Sequence, residues 1–442
     1  IVTGSSDVCS SDLPPKPAAV DEEEKEEGEG KVEEEGKAAE AAGEEAAKEP
    51  ELINDAQPLW LKKPADCTDE EYKAFYHRMF TDYDDPLFWV HLNVDYPFNL
   101  KGILYFPKLK EDFGVREGEI KLFSGQVFVA DNIKEVIPDF LMLLKGVIDC
   151  PDLPLNVSRS FLQNDGYVRK ISAHITKKVA DRLTGLFHTE REVYQGYWRD
   201  IAPFVRYGCT KDRKFFDAVK DTLLYEITDG SFLTLAEYKT RNADKAQDTV
   251  YYTSDAKRQA ASVALYTRQG IDVAVLDTPV DLGFMSFMEY SSGEGAPKFA
   301  RVDADVSGLT DKESQATDGL EPEKLQQLFR DALGQPELSV KLEQLADEEL
   351  MAMVTEDEQS RRFQDMSRYY GQGFSLPVMS TLVLNRRNTT VQSLGSRDAE
   401  AETTKLLCRQ IYDLARMAAH PLEAEEITAF LSRSAQLLKL VP

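Results

Sequence analysis

From Leu52 onward the chain switches between stretches whose apolar residues recur at helical intervals and short runs that alternate or are apolar throughout. Thr68 and Glu71 have capping-box spacing, and Tyr72, Phe75, Tyr76 and Phe80 then recur at helical intervals, which predicts a helix. Residues 102–107 and 119–129 read as strands, the second with a bend at Ser124-Gly125. Residues 133–145 read as an apolar helix closed by Gly146. Asp165 to Leu186 reads as a longer helix with basic residues on its polar side. Residues 249–253 and 272–276 predict parallel strands joined by a helix that Ser254 caps and Gly270 ends, with a right-handed crossover. This strand–helix–strand unit lacks GxGxxG at its first turn and reads as scaffold, not as a nucleotide site.

Residues 303–321 are polar and rich in Gly, Ser and Asp, so a boundary is expected there, with 306–321 as linker between units 52–305 and 322–442. The second unit predicts an amphipathic helix over 322–333, a polar helix around 357–370, a strand at 380–385 and closing helices at 398–419 and 421–439. Leu406, Leu407, Ile411, Leu414, Ala415 and Ala418 form a stripe on the first closing helix. Ile427, Phe430, Leu431, Leu437 and Leu438 do so on the second. Two such helices cannot cover each other completely, so a four-helix interface between two copies is expected, with Leu407, Ile411, Leu414, Ile427, Phe430, Leu431 and Leu438 in it.

Composition narrows the function. A hydrophobic fraction of 42% is ordinary for a globular chain, and no apolar run approaches the ~20 residues that span a bilayer. A net charge of -26 argues against a nucleic-acid partner, which needs a basic face. Fifteen acidic and four basic residues between Asp21 and Glu51 carry -11 of that charge, and so polar a tract cannot bury enough apolar surface to offset its ordering entropy. Residues 14–51 are therefore expected to be an acidic, disordered linker. The GEGK at 28–31 has no preceding strand and no Gly-Lys-Ser/Thr ending, so it is rejected as a phosphate loop. Residues 1–13, IVTGSSDVCSSDL, lack the regions of a signal peptide and resemble a translated sequencing adapter; they are expected to be foreign to the fold. The five cysteines lack CxxC spacing, which fits reduced thiols in the cytoplasm. His77, His91, His174, His188 and His420 have no metal-ligand spacing, and no metal site is expected.

At 146–163 the chain reads GVIDCPDLPLNVSRSFLQ, which resembles the catalytic loop of the heat-shock protein 90 family, its bacterial high-temperature protein G branch in particular. Supporting matches follow in the family's order: LWLKKPADCTDEEYKAFY at 59–76, DPLFW at 85–89, ILYFP at 103–107, GQVFVAD at 125–131 and TLAEYKTR at 234–241. The resemblance runs from Leu52 to Pro442. It implies a multidomain α+β and α/β fold: a middle domain with ribosomal-protein-S5-domain-2-like α/β layers and a small βαβ unit, then an α+β dimerisation domain. It also implies that an ATP-binding domain, holding ATP and Mg, normally precedes such a chain.

By the same resemblance Arg159 reaches the γ-phosphate of ATP, a task suited to a permanently charged planar fork of donors, while Asn156 and Gln163 position loop and phosphate. Read without the family, Arg159 is a structural salt bridge or cap. Ser160 stands where many relatives carry glutamate, which puts in doubt how Arg159 is held when ATP is absent. Residues 359–372 fit the family's amphipathic helix that binds partly unfolded client proteins. Phe363, Met366 and Tyr370 share a face there, with Tyr369 beside them, and ordinary core is the competing reading. The expected protein is a cytoplasmic homodimeric chaperone. The rivals are part of another two-part ATPase of topoisomerase or mismatch-repair type, and a dimerisation module without ATPase.

Overall fold

The computed structural model describes residues 57–108, 118–131, 137–141, 144–153, 166–246, 248–291, 295–310, 320–369, 380–419 and 422–439. It is a mixed α/β chain built on three sheets. Helix α1 (Asp69–Met79) begins with the expected capping box, in which the Thr68 side chain accepts from the Glu71 amide and the Glu71 carboxylate accepts from the Thr68 amide. The first sheet contains β1 (Phe88–Val94), β2 (Leu100–Phe106), β3 (Ile120–Ser124), β4 (Val127–Asp131) and β5 (Lys145–Asp149), in the order β1-β2-β5-β3-β4. All neighbours are antiparallel except β3 and β5.

Both faces of this sheet are covered. Helices α2 (Gly166–Thr189) and α3 (Arg191–Lys211), followed by α4 (Arg213–Val219), bury Leu104, Phe106 and Ile148 on one side. Trp60, Tyr72, Phe75 and Tyr76 bury Ile103, Tyr105 and Val147 on the other. A strand covered twice has no polar face, which is why β2 reads as nearly continuous apolar sequence.

The second sheet contains β6 (Leu224–Ile227), β7 (Phe232–Thr234), β8 (Thr249–Thr253), β9 (Ala274–Val275) and β10 (Lys298–Arg301), in the order β10-β8-β9-β6-β7. Helices α5 (Leu235–Arg241) and α6 (Ala243–Ala246) lead into β8, α7 (Ala260–Arg268) joins β8 to β9, and α8 (Pro279–Ser291) joins β9 to β10. The β8–β9 pair is parallel, as expected. The third sheet, β11-β13-β12, is made from β11 (Ser339–Glu343), β12 (Ala352–Glu356) and β13 (Ser380–Asn385). Around it lie α9 (Pro322–Leu333), α10 (Glu358–Tyr369), α11 (Thr389–Leu394), α12 (Glu402–Ala419) and α13 (Ala424–Leu438). One apolar cluster joins Tyr251 and Ala300 of the second sheet, and Val302 just after it, to Leu345, Met353 and Val383 around the third, so packing continues across the expected boundary.

Three local expectations are corrected. Gly146 does not end a helix. It lies inside β5, where a Cβ would sit 2.5 Å from the Ile103 carbonyl oxygen, and the described part of 133–145 holds a 3-10 turn at Asp139–Leu141 and the first residue of β5, with no α-helix. A short, wholly apolar run does not distinguish a buried strand from a helix by its period. Residues 119–129 are not one bent strand. Gly125 (φ 57°) and Gln126 (φ 68°) form a two-residue turn between β3 and β4, and two consecutive positive φ values suit the twist of a hairpin. Ser254 does not cap α7, which starts later, at Ala260; the Asp255 carboxylate accepts from the Lys257 and Arg258 amides in the intervening turn. Gly270 (φ 68°) does follow that helix, as expected.

Two glycines test the sheet packing. Gly146→Ala is expected to destabilise by on the order of 1–3 kcal/mol, because its methyl meets backbone that cannot yield. Gly185→Ala, with open space around it inside α2, is expected to stabilise by about 0.5–1 kcal/mol. Urea denaturation of both variants checks the opposite signs.

Candidate functional site

Asn156, Arg159 and Gln163 lie outside the described residues, but the floor from which their segment departs is described. Strand β5 ends at Asp149, which is 3% exposed. Its Oδ2 accepts from Trp60 Nε1 at 3.3 Å and from the Gln126 amide at 2.9 Å; Oδ1 has no hydrogen-bond partner among the described residues. Trp60 is held by Phe75 and Phe123, with ring centroids 5.7 and 5.3 Å away. One carboxylate therefore joins the 3-10 turn at Leu59–Leu61, the β3–β4 hairpin and the end of β5. Next along, burial pushes the Cys150 thiol up to about 12, so it stays protonated and unreactive near neutrality. The Asp152 carboxylate accepts from the Asn99 amide at 2.8 Å.

Helix α10 is set on a cluster of charges where the second and third sheets meet. Arg362 donates to Glu289 of α8 at 2.7 and 3.2 Å, to Glu358 at 2.7 Å and to the Phe299 carbonyl at 2.8 Å. Glu358 also accepts from the Tyr252 hydroxyl at 2.6 Å. Burial opposes the charge on Arg362, but hydrogen bonds to Glu289 and the field of Glu358 outweigh it, and its pKa is raised. Burial, then the Glu358 charge, raises the Tyr252 phenol. Beside this group Arg301 pairs with Asp303 and, at 3.5 Å, with Glu356, while Gln259 donates to Asp303 at 2.7 Å. Phe363, next to Arg362, is 46% exposed. Met366 and Tyr369 are in α10, but their side chains lie outside the described residues, as does all of Tyr370. Phe284, Met285 and Met288 of α8 are buried in the core.

The closing helices pack unequally. Helix α12 lies against α9 and β12 and buries Cys408, Ile411 and Ala415. Helix α13 has no buried residue. It is tied to α12 largely by polar groups: Arg433 to Asp413 and Gln410, Ser434 to Gln410, and Glu426 to Arg416. Ile427, Leu431 (60% exposed) and Leu438 (72% exposed) lie at i, i+4 and i+11, one line on the face turned from α12. Leu414 and Met417 of α12 are exposed as well.

The family described as Hsp90 protein matches residues 8–441. The chain belongs to the Hsp90 family. It is 37% identical over 371 residues to chaperone protein HtpG of Bacteroides thetaiotaomicron, covering 80% of this chain and 54% of that protein. It is 39% identical over 394 residues to HtpG of Porphyromonas gingivalis, covering 85% and 57%, and 29% identical over 409 residues to HtpG of Paraburkholderia xenovorans, covering 88% and 63%. The chain thus spans a little over half the length of the first two.

On this Hsp90-family chain, Leu414, Ile427, Leu431 and Leu438 are exposed, while Leu407 and Phe430 are half-buried. Ile411 is corrected: at 1% exposure it belongs to its own core, because α12 turns that side toward α9 and the third sheet. Sequence reasoning missed Asp149 and the Arg362 cluster. Trp60 and Asp149 are 89 positions apart, and Glu289 and Arg362 are 73 apart, so no local spacing signals either contact. No group of His, Cys, Asp or Glu able to hold a metal occurs among the described residues, and none of their helices is long and apolar enough to cross a membrane.

Asp149→Ala is expected to cost about 2–3 kcal/mol, since it strands the buried Trp60 Nε1 donor and frees the part-buried Gln126 amide. Trp60→Phe keeps the ring packing, removes one donor and costs about 1 kcal/mol. Urea midpoints of the two variants check that ranking.

Proposed function

We propose that this chain is the client-binding and dimerising part of a homodimeric molecular chaperone. The observation that carries the reading is the face of α13: Ile427, Leu431 and Leu438 stay in water although the helix is amphipathic. Burying each such side chain is worth about 1.5–3 kcal/mol, and the same stripe on a second copy completes a four-helix packing. Residues 52–305 act in this reading as the middle domain and 322–442 as the dimerisation domain. Phe363, with Met366, Tyr369 and Tyr370, forms the client-binding surface of α10, and its aromatic and Met character suits partners of varied shape. ATP and Mg are bound in the part of the relatives' length that this chain does not span. Arg159 is supplied from this chain to the γ-phosphate, with Asn156 and Gln163 placing the segment.

Sedimentation equilibrium tests the assembly. The chain is expected to be dimeric at about 50 μM, and Ile427→Glu/Leu431→Glu is expected to weaken association by more than ~100-fold. A monomeric parent chain, or a variant of unchanged mass, contradicts the reading. In the same preparations the dimer suppresses aggregation of a heat-unfolded test protein, and Phe363→Ser reduces that suppression without changing the mass.

A further inference from the structure

The exposed face of α2 is basic in a chain whose net charge is -26. Arg169, Lys170, Lys177, Lys178 and Arg182 lie on it, with Asp181 as the one carboxylate of the helix. These cations extend over about 20 Å of helix at 1.5 Å per residue. None of the five has a carboxylate partner among the described residues. Many cations elsewhere do, for example Lys62 with Glu71, Lys73 with Asp85, Arg191 with Glu237 and Lys405 with Glu400. Between the two lysine-bearing turns sits His174, whose Nε2 is buried without a hydrogen-bond partner among the described residues. Burial, then the charges of Lys178 and Lys177, lowers its pKa, so the positive field of this face reaches the ring.

We propose that the acidic tract Asp21–Glu51 of the same chain docks along this face of α2. Charge complementarity selects it: fifteen acidic and four basic residues face five cations and one carboxylate. Its carboxylates recur throughout, so many registers satisfy the face and no unique fit is required. The tract ends six residues before Gln57, the first described residue, and the chain then enters the side of the first sheet opposite α2. Crossing to α2 means passing two layers of about 10 Å each. Thirty-one residues extend up to ~100 Å at about 3.3–3.6 Å each, so the reach is ample. Tethering makes each contact intramolecular at an effective concentration on the order of millimolar, which lets weak, screened pairs hold the tract reversibly. Docked, the tract withholds this face from other acidic partners.

Carbodiimide cross-linking of the complete chain at low ionic strength, with peptides mapped by mass spectrometry, tests the proposal. Tract carboxylates are expected to join Lys170, Lys177 and Lys178 within one chain, as judged from mixtures of isotope-labelled and unlabelled protein. The yield is expected to fall about fivefold or more in roughly 0.5 M salt. It should also fall in Arg169→Gln/Arg182→Gln, which leaves every lysine in place and alters only exposed positions. Cross-links spread over lysines in proportion to exposure, insensitive to salt and to that variant, overturn the proposal. So do cross-links found only between chains.

Discussion

A largely buried set of charges at the root of α10 is the constraint on which the arrangement of the chain depends. Arg362 meets Glu289, Glu358 and the Phe299 carbonyl, and Arg301 meets Asp303 and Glu356 a few residues away. These groups come from α8, β10 and the residues after it, β12 and α10, so they join the second and third sheets. Charges removed from water cost several kcal/mol each unless opposite charges and hydrogen bonds compensate them. Compensation exists only when the two sheets take one relative position. An apolar contact tolerates sliding; this one does not. It fixes where α10 starts and hence where Phe363 is presented.

Among the described residues, the faces of α13 and α2 are left uncompleted by that packing. On α13 Ile427, Leu431 and Leu438 are turned to water while polar residues tie the helix to α12. On α2 the unmatched property is charge. Water and salt screen exposed charges, so the α2 face tolerates exposure at little cost, whereas exposed leucines do not. The proposed second copy would therefore cover the α13 face permanently, and the proposed acidic tract would cover the α2 face reversibly.

Much of the fold is legible in the sequence where the signal is local. The Thr68–Glu71 cap, the period of α9, the β8–β9 unit and Gly270 are each written within one element and its flanks. Errors arose where one local pattern serves two structures. Gly146 follows an apolar run that fits a helix end as well as a strand, and only the approach of the Ile103 carbonyl decides between them. Ile411 belongs to an apolar stripe, but a stripe does not say which of two partners covers each residue. The Glu289–Arg362 and Asp149–Trp60 contacts were illegible for another reason: their members are 73 and 89 positions apart, so no local spacing signals them. Arg159 rests on resemblance to the family alone.

Hydrogen exchange over Glu358–Tyr369, compared between the parent chain and Arg362→Met, tests the central claim most directly. Methionine keeps much of the side-chain volume and removes the charge that Glu289 and Glu358 require. The account predicts that amides of α10 lose about 2 kcal/mol or more of protection, an exchange rate ~30-fold faster, with the first sheet unaffected. Unchanged protection in α10 would mean that apolar packing alone sets the helix, and would contradict the account.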